Sequence, residues 1–416
     1  MAAPSRIAFG CDQHMLAERG QMMTTDRTTI RRRLAVGRSA YGPPWSIGKA
    51  RHRFIVAPLI AGVAASLAVG AGASIAKLAR ERRTKRDRRL GMRPGELWGE
   101  ELQRMALWQL DLALEGLGRG DEIPDERAVH EIRKALKRLR ALLRLLESQL
   151  GAGAYARESE ALRDAGRALS GARDAEVMLA TLDTLVERNR DRLAGRRGVI
   201  GLRAALLAER SRAREGALGD PRVRTQVLAE LHACRVRVAM WQLPEDAGPE
   251  LVEAGLLHLY RQGHKRRRRA RSGNGDRTRL MHQWRKRVKD LRYALEILQP
   301  VELPRHEGPK GKHRKRAHRH LAAARKDAKW LHQQAKRADK LGELLGEDHD
   351  LAMLAQWIAA DRDGILGGRT SRRILKLIRR RRRKLRMRSL HQGERLYGPR
   401  PKELMRRIRG AHAPIS

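Results

Sequence analysis

Two stretches of the sequence carry one pattern: residues 129–140, VHEIRKALKRLR, and residues 281–292, MHQWRKRVKDLR. Six of the twelve aligned positions hold the same residue in both stretches, in the same order and at the same spacing. The matched pairs are His130/His282, Arg133/Arg285, Lys134/Lys286, Lys137/Lys289, Leu139/Leu291 and Arg140/Arg292. Identity at fixed spacing indicates an internal repeat, so we expect a chain built from two related halves.

Each copy predicts an amphipathic helix with a cationic stripe. At about 100° per residue, the basic side chains of each copy fall on one stripe and the large apolar side chains fall on the stripe beside it. The cationic stripes are His130, Arg133, Lys137, Arg140 and Arg144, and then His282, Arg285, Lys289 and Arg292. The apolar stripes are Ile132, Leu136, Leu139, Leu143 and Leu146, and then Trp284, Val288, Leu291, Leu295 and Leu298.

Like charges three or four residues apart destabilise a helix by about 0.2–0.5 kcal/mol per pair, and such pairs occur in both copies. A cationic stripe beside the core stripe is expected to face a groove, where positive potential is focused. The alternative is a solvated face whose charges pair with Asp or Glu on adjacent helices. His130 and His282 lie among cations, which disfavours the imidazolium form, so we expect them to act as neutral donors or to position a neighbour.

The composition indicates a polyanionic partner. Lys and Arg number 91 against 47 Asp and Glu, a net charge of +44. The candidate partners are DNA, RNA, inorganic polyphosphate and an anionic membrane. Aromatic residues make up only 3% of the chain, which disfavours a reader of single strands that stacks on bases. Cys11 and Cys234 form no C-x-x-C pair, which argues against a disulfide framework or a zinc knuckle.

The chain divides into three regions. Residues 1–53 are polar and basic without periodicity, which predicts a disordered extension. Residues 54–93 hold an uncharged run, FIVAPLIAGVAASLAVGAGASIA (54–76), followed by a basic linker. This run is long enough to cross a bilayer, and the linker would keep the remainder cytoplasmic; a helix packed on the protein itself is the alternative. Residues 94–409 predict an all-α domain, with halves at about 94–245 and 250–409.

A second pair of related segments follows the first in each half: LSGARDAEVML (169–179) and LGEDHDLAMLA (345–355). They align Asp174 with Asp350, which we expect to cap a helix or to hold a nearby arginine. The longer spacing in the second half matches an insertion containing KGKHRKRAHRH (310–320), which we interpret as a basic loop.

The stretch SRRILKLIRRRRRKLRMR (371–388) contains eleven basic and no acidic residues. Its Ile and Leu residues keep a helical period, so it predicts a helix. Two interpretations stay open for it: an extension of the groove, and an exposed patch for nucleic acid or a membrane surface.

With their order preserved, these four motifs resemble the CHAD family, the conserved histidine α-helical domain. The matching segments are HEIRKALKRLR with LSGARD, and HQWRKRVKDLRY with LLGEDHD, where His349 stands at a position that the family fills with Arg or Asn. The resemblance covers about 94–400. It implies two antiparallel four-helix bundles, related by a pseudo-twofold axis, around a basic channel that binds inorganic polyphosphate.

The resemblance also implies the ligand-binding residues by position. They are His130, Arg133, Lys134, Lys137, Arg140 and Arg144 in the first half, and His282, Arg285, Lys286, Lys289 and Arg292 in the second. Weaker candidates precede the aspartate motifs: Arg163, Arg167, Lys336 and Lys340. The implied role is a targeting or accessory module at cytoplasmic polyphosphate granules, with a tether to the inner face of the membrane if residues 54–76 insert.

We expect no catalytic residue, metal or cofactor, because the sequence shows no P-loop, no paired carboxylate cage and no nucleophile with a positioned base. Two alternatives stay open. One is an enzyme that acts on polyphosphate, which would need acidic Mg²⁺ ligands in the channel. The other is a nucleic-acid-binding protein that uses the basic extensions.

Overall fold

The computed structural model shows an all-α protein, which confirms the predicted fold class. It describes residues 90–118, 126–169, 171–218, 220–273, 275–302, 314–360 and 368–413. In these ranges the only β-pairing is an isolated bridge between Met92 and Pro300. The predicted extension at 1–53 and the hydrophobic run at 54–76 lie outside the described residues. Among the helices that are described, none combines the length and the apolar character needed to span a bilayer.

In the described residues, eight α-helices precede residue 245. They are α1 (Trp98–Leu117), α2 (Glu126–Leu145), α3 (Glu147–Leu150), α4 (Ala152–Ala168), α5 (Gly171–Glu187), α6 (Arg190–Leu193), α7 (Arg197–Leu218) and α8 (Pro221–Ala239). After the 3₁₀ helix Pro249–Val252, five more α-helices follow in the described residues. They are α9 (Glu253–Ser272), α10 (Arg277–Ile297), α11 (Arg314–Ala359), α12 (Gly368–Leu396) and α13 (Pro401–Ala411).

Local signals set several helix ends. The Asp276 carboxylate caps α10 by accepting hydrogen bonds from the backbone N–H groups of Thr278 and Arg279, at 2.9 and 3.3 Å. Asp220 caps α8 in the same way, with Pro221 at the first helical position. Helix α9 ends at Ser272 and is followed by Gly273, whose φ of +72° is readily adopted by glycine.

The apolar stripes of α2 and α10 are buried as predicted. Ile132, Leu139, Trp284 and Val288 are each at most 1% exposed and belong to one large core that also includes residues of α1, α8, α9 and α11. A smaller core joins α5, α7, α12 and the last part of α11. Burial of each large apolar side chain contributes roughly 1.5–3 kcal/mol. The pseudo-twofold relation between the halves stays a prediction.

The prediction of a loop over residues 310–320 is wrong from Arg314 onward, because α11 begins there and runs for 46 residues. Ala317, Leu321, Ala324 and Ala328 are buried along one face of this helix. The helical spacing of these buried residues was hard to recognise in the sequence, because most of them are small alanines and Lys, Arg and His residues surround them. Asp350 lies inside α11 and not at the start of that helix, whereas Asp174 lies in the first turn of α5.

Helix α9 approaches the end of α2 at a glycine. A Cβ atom at Gly255 would lie 2.4 Å from the Leu145 carbonyl oxygen and 2.5 Å from that of Arg144. Because these atoms are backbone, they cannot rotate away as a side chain would. The close packing of α9 on α2 therefore requires glycine at this position.

Gly255→Ala should lower the free energy of unfolding by about 1–3 kcal/mol, because the methyl group overpacks the α9–α2 contact. The matched control is Gly153→Ala in α4, where a Cβ atom would meet nothing within 4 Å. That control should leave stability unchanged or raise it by about 0.5–1 kcal/mol. Urea denaturation followed by circular dichroism measures both changes, and equal midpoints for the two variants would contradict the packing argument.

Candidate anion-binding groove

Both cationic stripes line one cavity of about 1030 Å³, which we call the basic groove. Helices α2, α4, α5, α10 and α11 form its walls, and Arg381 of α12 lies at its edge. The predicted residues that line it are His130, Arg133, Lys137, Arg140, Arg144, Arg163, Arg167, His282, Arg285, Lys286, Lys289 and Arg292. The groove lies where helices of the large and small cores meet.

Three predicted residues are not among those that line the groove: Lys134, Lys336 and Lys340. The Lys134 ammonium lies 3.4 Å from the Glu131 carboxylate on the same helix. The Lys340 ammonium lies 3.2 Å from Glu343, and both Lys336 and Lys340 are exposed.

The groove strongly perturbs the protonation of Lys289. Burial is the main cause that lowers its pKa to about 7, and the charges of Arg285 and Lys137 lower it further. Lys137 belongs to α2 and Lys289 to α10, so the repulsion acts between the two copies of the repeat. The groove therefore holds cations closer together than their charges favour.

Arg285 lies deeper than a typical surface arginine. Its Nε atom is buried and has no hydrogen-bond partner among the described residues. Burial lowers its pKa, while Asp350 and Asp174 oppose that effect. A buried guanidinium with an unused donor is costly, because it has lost water without gaining a full set of acceptors.

Two histidines meet beside this arginine. The Nδ1 atoms of His282 and His349 lie 3.2 Å apart, and the ring centroids are 4.3 Å apart. Burial is the main cause that lowers the pKa of His282 to about 4 and that of His349 to about 3, with Arg285, Lys286 and Lys289 adding repulsion. Both rings are therefore neutral near pH 7, which agrees with the expectation for His282.

Some of the predicted ligands also hold the helices together. Arg144 donates to the Asp290 carboxylate at 3.0 Å, which joins α2 to α10. Arg133 donates to the Leu169 carbonyl oxygen at 2.7 Å, which ties α2 to the end of α4.

Arg292 plays a similar part on the other side of α10. It forms ion pairs with Glu296 at 2.8 Å and with Asp339 of α11 at 2.6 Å. The alternative in which stripe charges pair with acids of adjacent helices thus describes Arg144 and Arg292. Their carboxylate partners keep both guanidinium groups at fixed positions on the groove wall.

The structure adds residues that the sequence motifs did not indicate. Arg381 of α12 forms two hydrogen bonds to the Glu347 carboxylate, at 2.7 and 2.8 Å, and Arg188, in the turn after α5, contacts the same carboxylate. These arginines lower the pKa of Glu347 against the effect of burial, which is the largest influence on it. Only the spacing within the 371–388 stretch hinted at Arg381, and no signal marked Arg188.

Acidic side chains also reach the groove, among them Asp174, Asp350 and Glu343. In the described part of the chain, no group of three or more His, Cys, Asp or Glu residues has the arrangement of a metal site. The chemistry of the groove is therefore dominated by guanidinium, ammonium and neutral imidazole groups, which bind anionic oxygen atoms.

Comparison with known proteins gives two solved structures of related shape. The crystal structure of the CHAD domain from the plant Ricinus communis has a TM-score of 0.43 and 19% identity, covering 78% of this chain and 95% of that chain. PptA from Streptomyces chartreusis has a TM-score of 0.46 and 16% identity, covering 72% of this chain and all of the other. No curated protein sequence matches.

The family comparison is more direct, because it concerns the sequence motifs themselves. The model described as the CHAD domain matches residues 106–307, which include both histidine helices, α2 and α10, and the first aspartate motif. The second aspartate motif, at 345–355, lies beyond the matched residues. The histidine helices and the order of the motifs fit that match, and residues 106–307 of the chain therefore belong to a CHAD domain.

Proposed function

We propose that the chain binds inorganic polyphosphate in the basic groove and does not act on it chemically. The observation that carries this proposal is the convergence of Lys137 and Lys289, from two copies of one motif, on a single half-buried cavity. A polymeric anion would relieve their mutual repulsion. The match of residues 106–307 to the CHAD domain supports the same ligand, because polyphosphate binding is what the resemblance to that family implies.

The dimensions and chemistry of the groove suit a linear polyanion. A cavity of about 1030 Å³ is at the upper end of ordinary ligand pockets. A B-form duplex is too wide for such a pocket, because its major groove alone is about 12 Å wide. The groove offers cations in a row and no aromatic platform of the kind that reads bases. Tyr293 is the only aromatic residue that lines it in the described part of the chain, apart from the histidines.

Within the proposed site, three kinds of donor have different parts. Arg285 and Arg140 present planar forks that bind two oxygens, and Lys137, Lys286 and Lys289 act as movable point charges. Neutral His282 donates one hydrogen bond without adding charge. Arg144, fixed by Asp290, keeps the two histidine helices at the spacing that the polymer requires.

We propose a non-catalytic role because cations outnumber the acidic groups along the groove and no described cluster suits a metal. Hydrolysis of polyphosphate would call for acidic Mg²⁺ ligands next to the scissile bond. Incubation with long-chain polyphosphate and Mg²⁺ should release no phosphate above the level without protein. Release that Asp174→Asn and Asp350→Asn abolish would instead establish an enzyme.

On this proposal the chain is an accessory or targeting module that joins cytoplasmic polyphosphate granules. A multivalent polymer supports such targeting, because many binding sites on one granule raise the local concentration. Co-localisation of the chain with stained granules, and its loss in a groove variant, is the corresponding test in cells.

The variant Lys137→Gln, Lys289→Gln should weaken polyphosphate binding at least tenfold at about 100 mM salt. Its plot of log affinity against log salt should also be shallower, by roughly 0.7 for each lost contact with a single-stranded polyanion. Both effects follow because two phosphate contacts, and the counterion release that accompanies them, are removed. Titration of labelled polyphosphate at several salt concentrations measures both quantities.

The matched control is Lys336→Gln, Lys340→Gln, which removes the same charge from exposed positions of α11 away from the groove lining. It should lower the affinity less than twofold. An equal loss in both variants would show that net charge, rather than the groove, accounts for binding. No loss in either variant would place the ligand elsewhere.

Binding should weaken as the pH rises above 7. The pKa of Lys289 in the free groove is about 7. Bound polyphosphate stabilises the ammonium form and therefore raises this pKa. Between pH 7 and the higher pKa of the bound state, Lys289 takes up a proton when polyphosphate binds. Affinity should therefore be level below about pH 6 and fall by at most tenfold per unit above pH 7. Calorimetry in two buffers with different ionisation enthalpies measures the proton uptake directly.

Lys289→Arg tests the assignment of this proton, since arginine stays charged throughout the range. The variant should bind with nearly constant affinity from pH 6 to pH 9. If the variant shows the same decline as the wild type, another group takes up the proton.

A further inference from the structure

Helix α12 distributes its cations unequally between its two sides. On the inner side, Arg381 pairs with Glu347, and Arg382 and Arg386 lie 3.0 and 3.1 Å from the Asp348 carboxylate. Asp348 is only 2% exposed, so these inner arginines serve to attach α12 to α11. Two carboxylates thus offset part of the positive charge of these three arginines within the fold.

The cations on the opposite side, which we call the outer face of α12, are all exposed. They include Arg372, Arg379 and Arg383 on one flank, and Arg373, Lys384 and Arg388 on the other. Lys376 and Arg380 lie on the crest between the flanks. In the described part of the chain, none of these eight residues forms an ion pair with a carboxylate, and residues 369–393 include no Asp or Glu.

The outer face is strongly curved. At about 100° per residue, its cations span an arc of roughly 180° around the helix, and residues 372–388 extend it over about 24 Å. Cations that point in such different directions cannot all contact a flat surface. They can contact two walls that rise on either side of the helix.

Neighbouring cations widen one flank. Arg382 and Arg386 donate to the Thr278 hydroxyl at 3.0 and 3.4 Å, so the start of α10 lies beside α12 at this point. Arg277 and Arg279 on either side of Thr278 are both exposed. The positive surface therefore continues from the flank of α12 onto α10.

We propose that the outer face of α12 binds B-form DNA in its major groove, through the phosphate backbones that border that groove and without preference for base sequence. The major groove is about 12 Å wide and admits an α-helix, whose diameter with side chains is about 10–12 Å. The two flanks then face the two backbones. The surface is separate from the basic groove, so the protein binds a nucleic acid and the polymer of the basic groove at different places.

The chemistry of the outer face supports contact with backbones rather than bases. The stretch 369–391 contains no Asn or Gln, the residues that read adenine, and its exposed apolar residue is a single methionine, Met387, at 68% exposure. Arginine and lysine without acidic neighbours bind phosphate at any sequence. Double-stranded RNA should bind less well, because its major groove is deep and narrow.

The test compares three variants of the 416-residue chain. The outer-face variant is Lys376→Gln, Arg380→Gln, Arg383→Gln. The control variant, Arg190→Gln, Arg203→Gln, Arg212→Gln, removes equal charge from exposed arginines that each pair with a carboxylate. The groove variant is Lys137→Gln, Lys289→Gln.

Each variant is titrated with a labelled 24-base-pair DNA of mixed sequence, with double-stranded RNA, with long-chain polyphosphate and with vesicles containing phosphatidylserine, in a salt series. The outer-face variant should bind DNA at least tenfold more weakly than the wild type, with a salt slope smaller by about 2–3, since each phosphate contact to duplex DNA contributes about 0.9. Its polyphosphate affinity should change less than threefold, and the groove variant should keep its DNA affinity.

Several outcomes would overturn the proposal. An equal loss of DNA affinity in the control variant would show that DNA binding depends on net charge alone. An unchanged DNA affinity in the outer-face variant would exclude α12 as the DNA-binding surface. Loss of vesicle binding with intact DNA binding would identify a membrane surface instead. Loss of DNA binding in the groove variant would place both polymers in one site. Because the proposal does not depend on the polyphosphate ligand, failure of polyphosphate to bind would leave these comparisons interpretable.

Discussion

The basic groove depends on the placement of like charges at one meeting point of two helices. Lys137 of α2 lines the basic groove together with Lys289 and Arg285 of α10, and the charges of Lys137 and Arg285 add to burial in lowering the pKa of Lys289. Such a cluster opposes folding, and the apolar stripes of the same helices must compensate for it. Ile132, Leu139 and Val288 are fully buried on the same helices as the cations. Apolar burial therefore stabilises a helix arrangement that the repulsion between the cations destabilises.

Carboxylates decide which cations are structural and which stay available. Asp290 holds Arg144, and Glu347 holds Arg381 and Arg188, at the borders of the groove. These acids lie between helices that are distant in sequence, so each ion pair fixes an interhelical distance. The fixed arginines then keep the remaining cations close together. The positive potential of the groove is therefore an outcome of where the few acids lie.

The sequence predicted the faces of the helices better than the partners of individual side chains. A period of 3.6 residues was enough to place the stripes of α2 and α10 correctly, because every turn repeats the same information. It could not show that Arg144 binds Asp290, which lies 146 residues away. It also could not show that His349 contacts His282, since His349 departs from the family pattern and the contact joins two separate helices.

The same limit explains the errors around α11 and the open question at α12. In the stretch 314–328 the helical period is carried by alanines, which bury little area and are hidden by basic residues. In α12 the period was visible, yet the division between inner and outer arginines depends on Asp348 and Glu347 of another helix. Because those acids pair with arginines on one side only, a helix with uniform basic composition acquires a structural face and an exposed cationic face. Net charge alone thus indicates a polyanionic partner, whereas the position of each carboxylate determines where that partner can bind.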